Sequence, residues 1–145
     1  MTAPQAYRGE SIGLPESGPA SLASSGPRAG ALLIDAIASI LIAGLVVQIF
    51  HHGHSHDLTT RLPKSWSLIP FALDYIVGML VAGRTLGMYF CGLRIIRVDD
   101  QSQPVNPWRA VLRTFLLMLF VPAVVWDKDG RGLHDRYSDT AVVRS

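Results

Sequence analysis

The apolar positions of this chain fall into three long runs rather than the short alternating stretches of a soluble domain. Residues 29–50 read AGALLIDAIASILIAGLVVQIF, with Asp35 as the one charge. A helix of this length can cross a hydrocarbon core of roughly 30 Å. Residues 65–83 read SWSLIPFALDYIVGMLVAG, with Asp74 as the one charge. That is about the minimum for a span. Trp66 stands near one end, where an amphipathic ring suits the membrane interface. The third run, about residues 107–126, is different. Arg109 and Arg113 interrupt its start, and its uncharged part, Thr114–Trp126, contains Pro122. A stretch this short fits a re-entrant or interfacial helix better than a full span. Asn106 and Pro107 mark its start, as helix cap and first-turn proline.

The pattern predicts an all-α membrane protein. It has two transmembrane helices and a third, short re-entrant or interfacial helix, with a full third crossing as the rival. Two pieces have strand character, Leu93–Val98 and Thr140–Val143, and they could pair on the membrane surface. Asp99–Ser102 is a turn candidate between polar residues. Residues 1–27 are rich in Pro, Gly, Ser and Ala. Such a composition predicts a disordered tail, leaving 28–145 as the membrane domain. It also contains no cleavable signal pattern, so the first run is expected to act as an uncleaved anchor.

Composition agrees with the runs. Hydrophobic residues make up 49% and charged residues 17%, where a soluble domain carries about a quarter charged. The net charge of +2 makes no case for nucleic acid, and the single cysteine, Cys91, excludes an internal disulfide.

The placement of charge suggests an orientation. With two spans, one side holds Arg8, Arg28, Arg84, Arg94, Arg97, Arg109, Arg113, Lys128, Arg131, Arg136 and Arg144. The other holds Arg61 and Lys64. Positive charge favours the cytoplasm, so both termini are expected inside, with the chain in the cell membrane. The arginines beside the spans also suit anionic lipids as partners.

Asp35 and Asp74 carry the sharpest signal. A carboxylate near the bilayer centre costs roughly 2.5–3.5 kcal/mol and faces protein or water. Each lies in a stripe of small or polar residues: Ala31, Asp35, Ser39, Ala43, and Pro70, Asp74, Gly78, Ala82. Small residues every fourth position let helix backbones approach closely. The two helices are therefore expected to pack through these faces, with the carboxyls about one turn apart. Three arrangements remain open: a shared proton, neutralisation by Arg113 or Arg84, or a bound cation. The plainer reading of the pair is a polar lock that fixes helix packing. The sharper one is a proton or cation site.

Weaker signals follow. His51, His52, His54 and His56 lie in HHGHSHD between the spans. Imidazoles at such spacing can bind Zn, Ni or Cu, but no cysteine or rigid scaffold supports them, and the plainer reading is a solvated polar loop. His134 and Asp135 are neighbours in sequence and so are expected to point apart. Gly83–Gly87 lacks the lysine and the length of a phosphate loop. No nucleophile with a paired base is visible, so neither an enzyme nor a cofactor is expected.

The motifs together resemble the RDD family, named for one arginine and two aspartates. RAGALLIDAI supplies Arg28 and Asp35. GRTLGMYFCGLRIIRVDD resembles the family's Gly-x-Thr-x-Gly-Lys stretch followed by Gly-Leu-Arg-Val-Val, with Met88 where lysine is usual. WRAVLR supplies Arg113. GRGLHDRYSDTAVV resembles the closing Leu-His-Asp and Gly-Thr-Val-Val, with Asp135 as the second aspartate and Asp139 where glycine is common. The resemblance implies a charge network of Arg28 with Asp135 and Asp35 with Arg113. Some members have been linked to cation/proton antiport. The leading expectation is a non-enzymatic scaffold or accessory subunit, as a homo-oligomer or with a membrane protein partner. The alternative is an oligomeric cation/proton transporter using Asp35 and Asp74.

Overall fold

Two long apolar helices and a small sheet organise the chain. The computed structural model describes residues 6–50, 64–119 and 131–145. Helix α1 spans Ser25–Phe50 and α2 spans Leu68–Ala82, entered by a 3-10 turn at Lys64–Ser67. The short helix α3 covers Leu86–Phe90, strand β1 Leu93–Arg97, helix α4 Pro107–Met118, helix α5 Leu133–Tyr137 and strand β2 Thr140–Arg144. The histidines at 51, 52, 54 and 56 and the later part of the third apolar run lie outside the described residues.

Both long helices bury little of themselves. In their most apolar windows 22% of α1 and 11% of α2 is buried, so neither is the core helix of a soluble fold. Leu33, Ile37, Ile40, Leu41, Leu73, Val77 and Val81 all stand half or more exposed. An apolar belt of this extent marks a surface meant for something other than water.

α2 ends at Gly83, whose φ of 65° is left-handed. The Gly83 amide donates to Met79 O and the Arg84 amide to Gly78 O, which satisfies two of the helix's last carbonyls. The chain then turns back, and α3 lies against α1. This turn changes the helix pairing that the small-residue stripes predict. On α1 the expected stripe is the buried one: Ala31, Asp35, Ser39 and Ala43. On α2 the buried residues are Tyr75 and Met79, while Ala82 is exposed. Gly78 faces the Arg84–Thr85 backbone, where an added Cβ would stand 2.7 Å from Arg84 O. The small residue serves the turn into α3, and α3 shares the α1 face assigned to α2.

β1 and β2 pair antiparallel, with Ile95 opposite Val142 and Ile96 opposite Ala141. Alternation sends Leu93, Ile95 and Val142 toward the helices, where they join Tyr75, Met79, Met88, Ala110 and Leu117. The other face carries Ile96, Ala141 and Val143, packed with Leu14, Ile12 and Leu22. Here the expectation of a disordered tail is corrected for residues 6–24. The Ala20 and Ala23 amides donate to Arg144 O and Val142 O, and Arg144 N donates to Ser21 O. Leu22 bridges Val143. Three apolar residues suffice to hold this segment because the sheet offers them an otherwise bare face.

α4 begins as expected, with Asn106 at the cap and Pro107 in the first turn. Its buried face is Ala110, Arg113, Thr114 and Leu117. Asp139, before β2, has φ 50°. Glycine adopts such a left-handed position at the least cost.

Candidate functional site

Two buried carboxylates organise this fold, and each is held differently. Asp35 is fully buried on α1. The Thr85 hydroxyl donates to its Oδ2 at 2.6 Å, and the Gly87 amide donates to its Oδ1. Thr85 also caps α3, its hydroxyl accepting from the Met88 amide at 3.3 Å. Tyr75 hydrogen-bonds to Asp35 as well. The first amides of a helix have no partner inside it. Asp35 therefore supplies, from a different helix, part of the cap that α3 needs.

The approach depends on Gly87. An added Cβ there would collide with Ala31 O and with the Asp35 carboxylate. Asp74 reaches the same place from α2. It meets the Leu86 amide and the Asp35 carboxyl, and its Oδ2 is buried without a hydrogen-bond partner. Both aspartates thus converge on the amino end of α3.

Asp135, on α5, is the second centre and is also fully buried. Arg113 of α4 donates to its Oδ1, and Arg113 itself is 1% exposed. Arg28 of α1 stands 3.5 Å from Oδ2 and donates to Val142 O at 3.2 Å. The His134 ring lies 3.3 Å from Oδ1. The expectation that His134 and Asp135 point apart is thereby corrected, since the short helix α5 turns both toward the core. Thr140 accepts from Arg113 at 3.0 Å, and Ser138 stands 2.8 Å from Thr140.

The Asp35–Arg113 pair that the resemblance implies is not formed. Arg113 belongs to the layer of α5 and β2, whereas Asp35 is covered by α3. Arg84 forms no ion pair among the described residues; its guanidinium lies 5.0 Å above the Tyr89 ring. Sequence reasoning missed Thr85, Gly87, Tyr75, His134 and Thr140 as partners. For Thr85 and Gly87 the signal was present: a threonine followed two residues later by glycine, ahead of an apolar turn, is a capped helix start that backbone can approach.

A third cluster lies on the surface. Arg109 reaches both oxygens of Asp99 at 2.8 and 3.0 Å, and Arg97 reaches them at 3.1 and 2.5 Å. The hydrogen bonds from Arg97, then those from Arg109, hold the Asp99 carboxyl well below the usual carboxylate range. Two of the arginines on the basic side thus share one carboxylate within the fold. Among the described residues, no three acidic, histidine or cysteine side chains gather as a metal site.

The model of the RDD family matches residues 22–139. No curated protein and no solved structure matches the chain.

Proposed function

This chain belongs to the RDD family, whose members are membrane proteins, and from that premise we propose that it is a non-enzymatic scaffold or accessory subunit of the cell membrane. α1 and α2 cross the bilayer, and the third apolar segment dips in and returns. Both termini face the cytoplasm, and the partner is a second copy or another membrane protein. The observation that carries this reading is the treatment of Asp35. Its carboxylate is buried and taken up by Thr85, Gly87 and Tyr75, which is what a packing lock requires and leaves little room for a passing ion. Asp135 is likewise occupied by arginines from two helices.

Asp74 favours a second reading, the oligomeric cation/proton transporter. Two carboxyls in contact repel unless a proton or cation lies between them, and Asp74 Oδ2 is buried without a hydrogen-bond partner. Two spans cannot enclose a path alone, so transport requires an oligomer. Sealed vesicles carrying wild type, Asp35→Asn or Asp74→Asn separate the readings. The scaffold reading predicts no cation-coupled proton flux above empty vesicles in any of them. Wild-type flux that both variants abolish would replace it with transport.

A further inference from the structure

Beside the Arg113–Asp135 pair lies a cavity of about 140 Å³, lined in part by Arg28, Tyr75, Arg113, His134 and Asp135. At roughly 30 Å³ per water it has the volume of four or five waters. Arg113 and Asp135 are 1% and 0% exposed. Each leaves one buried atom without a hydrogen-bond partner among the described residues, and the two atoms are of opposite kind. Arg113 gives Nη1 to Asp135 Oδ1 and to Thr140, and keeps Nε as an unused donor. Asp135 Oδ2 stands 3.5 Å from Arg28 Nη1 and accepts no hydrogen bond.

A buried ion pair is favourable only when the protons and lone pairs outside the direct bond are also taken up. What fills this cavity must therefore both accept and donate. An anion would serve the guanidinium and repel the carboxylate. A metal cation would do the reverse, and an acyl chain would serve neither. Water accepts from the one, donates to the other and adds no charge. Cavities that stay empty are apolar, whereas this wall carries charge and room for water together. The 3.5 Å contact between Arg28 and Asp135 is also of a length that a water can share.

We propose that this cavity is a water site, in which a small cluster of waters accepts from Arg113 Nε and donates to Asp135 Oδ2. Helices α4 and α5 are then tied twice, once by the direct bond between these residues and once through water. The waters belong to the fold as the direct bond does, because each charged group they serve is otherwise closed off from solvent.

The test is solid-state NMR of the full chain in lipid nanodiscs, with Arg113 Nε, Asp135 Cγ and the Val142 methyls assigned through their carbon and nitrogen connectivities. Val142 also lines the cavity and is 2% exposed. Magnetisation should pass from water to all three at mixing times too short for it to reach the amide of Ala110, a residue 0% exposed on α4. Arg113→Met combined with Asp135→Leu removes donor and acceptor together, and transfer from water to Val142 is then lost. Transfer from water to Arg113 Nε or Asp135 Cγ no faster than to Ala110 would overturn the proposal. So would transfer to Arg113 Nε from lipid acyl protons in place of water, or transfer to Val142 that survives in the folded double variant. Should that variant fail to fold, the wild-type measurement decides alone.

Discussion

The Gly87 amide donates to the Asp35 carboxylate across 52 positions of sequence, and a side chain at 87 would occupy the space of the Ala31 carbonyl. Helix α3 therefore sits on α1 at backbone contact. Gly87→Ala should separate the two and weaken the hydrogen bonds that Gly87 and Thr85 of α3 give to the buried Asp35. A loss of about 3 kcal/mol or more is expected, from overpacking and the weakened bonds together. Chemical unfolding in detergent measures it. A change within about 0.5 kcal/mol would show that α3 does not rest on Asp35 as described.

Thr85 holds two groups with one hydroxyl, capping α3 and donating to Asp35. Thr85→Val keeps the shape and removes both bonds. It should destabilise by about 2 kcal/mol, while Thr85→Ser recovers most of that. The same unfolding assay decides, and equal loss in both variants would mean that the methyl group matters rather than the hydroxyl.

The long helices were legible in sequence because their signal is local: an apolar run bounded by polar residues. The strand pair was legible for the same reason, as was the start of α4 at Asn106–Pro107. What sequence could not supply was tertiary. The stripe through Asp35 named the buried face of α1 but not its neighbour. The turn at Gly83 decided that, by folding α3 onto the face reserved for α2. The ordering of residues 6–24 was hidden because composition averages over the segment, whereas Ile12, Leu14 and Leu22 act individually on a face created by residues over a hundred positions away. Arg113 carries no mark in sequence that would send it to Asp135 rather than Asp35.

Asp99, gripped by Arg97 and Arg109, titrates below its ordinary value of 3.8. A carboxyl with a depressed folded-state pKa adds stability above its unfolded pKa and loses it as pH falls below that point. Wild type should thus be more stable than Asp99→Asn at pH 7. The two unfolding midpoints should converge as the pH drops from 4 towards 2. Midpoints that stay equally far apart through that range would contradict the assignment.

Asp139 holds a left-handed backbone, φ 50°, that costs a side chain more than glycine. Asp139→Gly is expected to stabilise by about 0.5 kcal/mol, the strain relieved being partly offset by glycine's greater freedom when unfolded. A rise of roughly 2 °C in unfolding midpoint corresponds to this. A fall would mean that the Asp139 side chain contributes more than the structure shows.

Buried charge ties these helices together through shared hydrogen bonds and ion pairs. Asp135 serves Arg28 and Arg113 at once, so swapping Arg28 with Asp135 should not restore stability, because Arg113 would then face another arginine. The most direct measurement is a double-mutant cycle of Arg113→Gln and Asp135→Asn, read by reversible unfolding in detergent. Each single change removes one partner of a buried charge pair and should cost about 3 kcal/mol or more. The double variant should be more stable than their sum by at least 1 kcal/mol. Additive losses within about 0.5 kcal/mol would contradict the account.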